Sequence, residues 1–371
     1  MDCGALRILL ELNSSDTRIG AVNDALDLAH FTRPLGVQII FCGIVDRHLE
    51  ALAKHSGIPV IHGRSYIISK RGFLLFVSSV LFWVVRLLFL RPHIVHLNYA
   101  GYGPSLAYAA HLCGIPVVAR AGGEYNSRNR ANRWIKAYMA NCKPHAQPLL
   151  DSPLADRVFI AGDLFRPERL TEITNLERPL PPSTGRPRFL FLGQLVERKG
   201  IAVLLEAFAR MKENADLLLV GGNWEDPGYP QQLLALIDQL KLKDRVYLEN
   251  HRSDVGILLH ECDVFVLPSL SEARPRSIIE AMCMGRPVIS TRVGGIPTLV
   301  EDQVTGLLVP PADPQLLASA LDRLAGSTDL RRSLGKSGLE RAQAMFQPEL
   351  TAARYVALYR ELITSGSLPR S

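Results

Sequence analysis

Along the chain, short apolar runs rich in branched residues recur at regular intervals, each followed by a helix-length segment. The first series is RILLEL (7–12), VQIIFCGI (37–44), IPVIH (58–62), HIVHLN (93–98), IPVVAR (115–120) and RVFIA (157–161). The second is RFLFLG (188–193), ADLLLVG (215–221), RVYLEN (245–250), DVFVLPS (263–269), RPVIST (286–291) and TGLLVP (305–310). Strands that are apolar on both sides belong in parallel sheets covered on both faces. Two such series predict an α/β chain of two doubly wound, Rossmann-like domains, 1–165 and 188–347. The intervening stretch 166–187 is rich in proline and polar residues and reads as a linker. An amphipathic helix over 348–363 lies beyond the last strand, so 348–371 is set apart as a terminal helix and tail. Ligands of open parallel sheets bind outside the carboxyl ends of the strands, and in two facing domains those ends would line a shared cleft.

One segment stands outside this rhythm. FLLFVSSVLFWVVRLLFL (73–90) has only Ser78, Ser79 and Arg86 as polar residues. As a helix it spans roughly 27 Å, close to the thickness of a bilayer core. Crossing a membrane would pull the next strand, HIVHLN, out of its sheet, and Arg86 would be costly in lipid. Two readings stay open: a helix buried in the domain core, or one with one face on the sheet and the other at a membrane surface. Gly72, Ser79 and Arg86 are seven apart and form one narrow polar stripe on a helical wheel.

Composition changes this picture little. The 371 residues are 47% hydrophobic and 21% charged, as in an ordinary globular protein. The six cysteines are far apart, in neither a zinc spacing nor a disulfide framework, so a reducing compartment is expected. No basic region precedes a cleavable apolar segment at the N-terminus, so a secretory signal is not expected and the location reads as cytoplasmic. Charge is more telling. Residues 1–165 hold 17 Lys and Arg against 11 Asp and Glu, whereas the remainder holds 25 of each. The excess is concentrated in Arg120–Lys143. This run reads either as a solvated basic helix or as a surface for an anionic partner, membrane lipid or a phosphorylated acceptor. No nucleic-acid motif accompanies it.

The candidate chemistry lies in the second half. GQLVERKG (193–200) follows a strand and opens a helix, where Gly193 permits a tight turn and Arg198 and Lys199 add positive charge to an anion-favouring helix start. A basic surface turn would look the same. Further on, Glu272 falls in the loop after DVFVLPS, and Glu280 falls in the first turns of the next helix. Carboxylates can accept hydrogen bonds from paired hydroxyls, as on a ribose, while helix-start amides bind phosphate. Acids flanking an anion site therefore fit a nucleotide sugar. Ser277-x-x-Glu280 also spells a capping box, in which Glu280 would serve its own helix.

In combination, Glu-x7-Glu, EAM, GRPVIS, GG-x-P and GLLVPP, with GQLVERKG upstream, resemble the retaining glycosyltransferases of family 4 (glycosyl transferases group 1) over roughly Phe189–Pro311. The first half matches more loosely, through SSDTRIGAV (14–22), HIVHLN, VVARAGGEY (117–125) and DRVFIAGDLFRPERL (156–170). The resemblance implies the GT-B architecture, with the terminal helix crossing back to the first, acceptor-side domain. It implies transfer of a sugar, hexosyltransferase-like and with retention, from a nucleoside diphosphate to a hydroxyl of a glycan or lipid-linked acceptor. The implied setting is cell-surface polysaccharide or lipid-linked oligosaccharide synthesis, peripheral on the cytoplasmic membrane face. Arg198 and Lys199 would stabilise the departing diphosphate, Glu272 would contact the donor sugar and Glu280 the ribose. Gly20, Gly193 and Ser277 would give backbone and hydroxyl approach to the donor.

The chain departs from the family pattern at several positions. Gln194 stands where Arg is usual, Ala273-Arg274 where Gly and an apolar residue are common, and Thr298 where Glu is frequent. Arg120-Ala121 stands where a histidine is often found. These keep two rivals in view: a sugar-nucleotide epimerase of the same fold, and a non-catalytic binding or scaffold subunit. There is no Asp-x-Asp pair of the kind that holds a diphosphate through a metal. With Arg198 and Lys199 in place, no metal and no cofactor beyond the donor are expected.

Overall fold

Both series of apolar runs form parallel sheets. The computed structural model describes residues 5–13, 20–65, 72–98, 104–121, 130–172, 175–182, 184–222 and 228–365. The chain divides into two compact units, 1–165 with 346–371, and 166–345. The first unit runs β1 (Leu6–Asn13), α1 (Gly20–Thr32), β2 (Val37–Ile44), α2 (Arg47–His55), β3 (Val60–His62), α3 (Phe73–Leu90) and β4 (Ile94–Leu97). It continues through α4 (Pro104–Leu112), β5 (Val117–Arg120), β6 (Ile135–Ala140), α5 (Lys143–Leu150) and β7 (Val158–Ile160). Its sheet order is β3-β2-β1-β4-β5-β6-β7, parallel at every pairing. The order reverses beside β1, the usual place for a ligand crevice.

β1 shows why the fold forms. Ile8, Leu10 and Leu12 face one layer of core with α1, while Leu9 faces the opposite layer with α3 and α4. The period of two along the strand thus feeds both faces. The last helix of the chain, α14 (Pro348–Thr364 by its place in chain order), joins the first layer. Its Ala352, Tyr355, Val356, Tyr359 and Leu362 repeat at helical spacing and are all buried. The terminal helix therefore belongs to the core of the first unit. Its Tyr359 hydroxyl lies 2.7 Å from His96 Nδ1 on β4.

Two readings of the first unit need correction. The basic run Arg120–Lys143 is not one continuous helix. Arg120 ends β5, residues 122–129 lie outside the described ones, and Ile135–Ala140 is a strand of the sheet. Only Lys136 of that strand is exposed. Arg120 itself is an ion-pair partner of Asp24 at 2.5 Å rather than a free surface charge. The wheel of α3 also turns differently from its polar stripe. Ser79 faces inward, donating to the Arg64 carbonyl at 2.6 Å and lying 2.8 Å from the Ser105 hydroxyl. Phe76, Val80, Trp83 and Leu87 complete the buried face. The outer face is left apolar, with Leu74 81% and Phe89 89% exposed. A wholly buried core helix is thereby excluded. Crossing a bilayer also fits poorly, because β4 begins at Ile94 in the middle of the sheet.

The second unit runs α6 (Arg169–Glu172), β8 (Arg188–Leu192), α7 (Ile201–Ala209), β9 (Asp216–Val220), α8 (Tyr229–Gln239) and β10 (Val246–Glu249). Then follow α9 (Val255–His260), β11 (Val264–Leu267), α10 (Arg276–Cys283), β12 (Val288–Thr291) and α11 (Ile296–Leu299). β13 (Gly306–Val309), α12 (Pro314–Ala325) and α13 (Thr328–Met345) close it before α14. The sheet order β10-β9-β8-β11-β12-β13 is parallel throughout and reverses between β8 and β11. The proline-rich stretch before β8 is clamped to this unit. The Glu177 amide donates to Asp254 at 2.9 Å, and Asp254 pairs with Arg252 at 2.6 Å, both side chains fully buried.

The buried His96 generates a pH prediction. Burial, and secondarily the charge of Arg120, push its pKa down to about 3, against about 6.5 when unfolded. Its contribution to stability is whole above pH 6.5 and is lost as pH falls from there towards 3, at up to about 1.4 kcal/mol per pH unit. Thermal melts of wild type and His96→Gln at pH 7 and pH 5 check this. The melting temperature of wild type should drop further on acidification than that of the variant.

Candidate functional site

The site is built where the second sheet reverses, at the carboxyl ends of β8 and β11. After β8, the Gly193 amide extends the ladder to the Val220 carbonyl at 3.1 Å. A Cβ at Gly193 would crowd the Phe191 ring at 3.3 Å, while the stem of Lys199 passes at an ordinary contact distance of 3.8 Å. A short turn of helix over Glu197–Lys199 follows, and Gly200 in the left-handed region (φ 68°) starts α7. A Cβ on Gly200 would sit 2.1 Å from the Pro268 carbonyl oxygen. Only glycine lets this loop lie against the exit of β11. The Leu270 amide then donates to the Arg198 carbonyl at 2.8 Å, joining the two loops.

That closeness brings Lys199 and Glu272 together. The Lys199 ammonium contacts Glu272 Oε1, and both side chains are largely buried. Ser269 donates to the same oxygen at 2.9 Å, and its own carbonyl accepts from Thr291 at 2.6 Å. The double glycine of GG-x-P, Gly294-Gly295, fixes this loop from the other side. Gly294 has φ 52°, and a Cβ there would lie 1.6 Å from the Glu272 carbonyl oxygen. The Gly295 amide donates to the Ala273 carbonyl at 2.7 Å.

The other candidates are placed separately. Arg198 is exposed and donates to Gln194 Oε1 at 2.5 Å, so the departure at Gln194 holds a neighbouring cation in place. Ser277 lies inside α10 rather than at its cap, which is Pro275 with no side-chain capping bond. The capping box is therefore not formed. Glu280 instead lies 3.4 Å from Arg276 one turn earlier. Gly20 opens α1 in the first unit, and most of its glycine loop, residues 14–19, lies outside the described ones.

Sequence reasoning missed Ser269, Arg276 and one further pair. Arg274 donates to the Thr298 hydroxyl, so two departures from the family pattern are partners of each other. The signal for Arg276 was present as an Arg and Glu four apart on a helix. The Arg274–Thr298 contact is 24 residues apart and had no local signature. Among the described residues no group of three His, Cys, Asp or Glu could hold a metal ion.

With this geometry in place, residues 172–341 match a family model described as glycosyl transferases group 1. The match lies wholly within the second unit. Its matched region contains Gly193, Arg198, Lys199, Glu272, Ser277 and Glu280. Among curated proteins, the chain is 34% identical over 171 residues to an MMP alpha-(1->4)-mannosyltransferase of Mycolicibacterium hassiacum, covering 45% of this chain and 41% of that one. It is 31% identical over 183 residues to a D-inositol 3-phosphate glycosyltransferase of Segniliparus rotundus, covering 48% and 40%. The match thus spans less than half the length of these relatives. Solved structures align over nearly the whole chain. A glycosyltransferase from Rickettsia africae has a TM-score of 0.81 at 19% identity, covering 97% of this chain and 99% of that one. Anabaena Alr3699/HepE in complex with UDP and glucose has a TM-score of 0.80 at 20% identity, covering 96% and 100%. The fold of the chain is that of the GT-B glycosyltransferase structures.

The glycine contacts predict a sharp contrast. Gly294→Ala should lower stability by about 2–4 kcal/mol, because the carbonyl it would meet is fixed backbone. Gly285→Ala, also at positive φ (65°) but with its nearest neighbour 3.9 Å away, should cost only about 1 kcal/mol. Urea unfolding of both variants measures the difference.

Proposed function

We propose that the chain transfers a sugar from a nucleoside diphosphate donor to an acceptor hydroxyl, with retention, as in family 4. The observation that carries this reading is the Lys199–Glu272–Ser269 cluster, placed at the strand reversal of a group 1 unit. A cation beside a carboxylate, both shielded from water, suits a ligand that offers phosphate to one and sugar hydroxyls to the other. The donor diphosphate takes the contact of Lys199, with exposed Arg198 closing on its outer oxygens. Glu272 then accepts from the donor sugar and Glu280 from the ribose, while the first turn of α10, at Ser277, offers amides to phosphate. Gly20 gives the first unit close backbone approach to the donor. Negative charge grows on the diphosphate as the sugar bond breaks, so the two cations stabilise the leaving group most in the transition state. No metal enters this mechanism. That the Anabaena relative was solved with UDP and with UDP-glucose supports the donor class.

The proposed setting is the cytoplasmic face of a membrane, in assembly of a surface polysaccharide or a lipid-linked oligosaccharide. The exposed apolar face of α3 supports it. Leu74, Leu81, Val85, Leu88 and Phe89 are each more than half exposed. Such a face on a chain of net charge +6 matches a reversible hold on anionic lipid.

Three measurements test these proposals. Lys199→Ala and Arg198→Ala should each lower kcat by about 100-fold or more with a far smaller change in KM. Strict dependence on a divalent metal, read by adding EDTA, would remove the mechanism. Glu280→Ala should weaken binding of UDP or GDP by about tenfold in calorimetry. Unchanged affinity with a lowered melting temperature would leave Glu280 a helix-stabilising role only. In flotation, the protein should bind liposomes that contain anionic lipid and detach as salt rises. Absence of binding to any liposome would dismiss the membrane setting.

A further inference from the structure

A cavity of about 500 Å³ opens in the first unit beside α3, within the size range of small-molecule sites. No candidate site residue lines it. It lies outside the carboxyl ends of β2 and β3, where open parallel sheets place ligands. One side is polar, with His62 ending β3 and Arg64 just after it. The other is formed by Leu75 and Phe82 of α3, with Ile44 at the end of β2.

The cavity has a rigid frame. The Arg64 carbonyl accepts from both Ser79 (2.6 Å) and the Trp83 indole (3.2 Å). Gly63 lies so close to Trp83 that a Cβ would come within 2.4 Å of the ring. The backbone before the side chain of Arg64 is thereby pinned, while the residue remains exposed. His62 is exposed as well, lying 3.7 Å from Glu50. Among the described residues no carboxylate pairs with Arg64 within salt-bridge distance. A guanidinium held by its backbone is suited to grip a phosphate through its fork.

The apolar wall does not end at the cavity. Leu75 and Phe82 continue into the exposed outer face of α3, through Leu74, Leu81 and Val85. A ligand seated here has its charged group at Arg64 and a continuous hydrocarbon surface beyond it. We infer that this cavity takes the acceptor, an amphipathic phosphate or diphosphate ester, with the phosphate at Arg64 and His62 and the hydrocarbon chain along α3. The inference rests on the glycosyl-transfer reading for the word acceptor, and on the cavity alone for the ligand class.

The test uses the full chain and dodecyl phosphate, below its micellar concentration, as the probe. Binding is followed by calorimetry and by the fluorescence of Trp83, one of three tryptophans. Dodecyl phosphate should bind with a change in tryptophan emission, and inorganic phosphate and dodecyl maltoside should each bind at least tenfold more weakly. Arg64→Glu and Leu75→Glu, both at exposed positions, should each weaken dodecyl phosphate at least tenfold with no change in melting temperature or in UDP binding. Equal affinity of wild type and Arg64→Glu would overturn the proposal. So would dodecyl maltoside binding as tightly as the phosphate, or inorganic phosphate binding as tightly as its ester. Dodecyl phosphate binding by a protein that binds no nucleoside diphosphate would uphold the ligand class and defeat the transfer reading instead.

Discussion

The loop that leaves β11 is held between two backbones that have no side chains to keep them away. Gly200 presses on the Pro268 carbonyl from one side, and Gly294 on the Glu272 carbonyl from the other. Everything chemical in the second unit follows from that double approach. It sets the main chain of residues 268–273, and so sets where Glu272 meets Lys199 and Ser269. Each approach needs a backbone conformation with positive φ that other residues adopt at a cost. The acid and the lysine are 73 residues apart in sequence. They meet because glycines on both flanking loops leave room.

Much of this was legible beforehand, for a physical reason. Strands buried on both faces must be apolar throughout, so twelve of them announced themselves, as did the turns after β8 and β11. The site residues near those turns, Arg198, Lys199, Glu272 and Glu280, were legible because strand ends and helix starts are local events. What stayed hidden was either non-local or disguised. IKAYMA (135–140) is strand β6, but two alanines, a methionine and flanking basic residues have little strand propensity, and burial between β5 and β7 overrode it. The inward turn of Ser79 could not be read from a wheel, because its partner is a main-chain carbonyl at Arg64, fifteen residues earlier. The contact of Arg274 with Thr298 joins the β11 exit to α11, a pairing only the fold makes.

The departures from the family pattern look different once their contacts are known. Gln194 anchors Arg198, Arg274 and Thr298 engage each other, and Arg120 pairs with Asp24 across β5 and α1. Burial opposes the charge of Arg120, and Asp24 more than offsets it, so the guanidinium stays firmly protonated. These are substitutions with local compensation.

The placement of α14 carries a consequence for synthesis. Its tyrosines and leucines fill the same layer of core as β1 and α1, although the whole second unit is made before them. Domains usually fold in the order in which they leave the ribosome. Here the first sheet, although it emerges first, must wait for α14 to cover one of its faces. The second unit is fully synthesised by Met345, before α14 exists. The nascent chain therefore completes the second unit first, and the first sheet carries an open apolar face until α14 has been made.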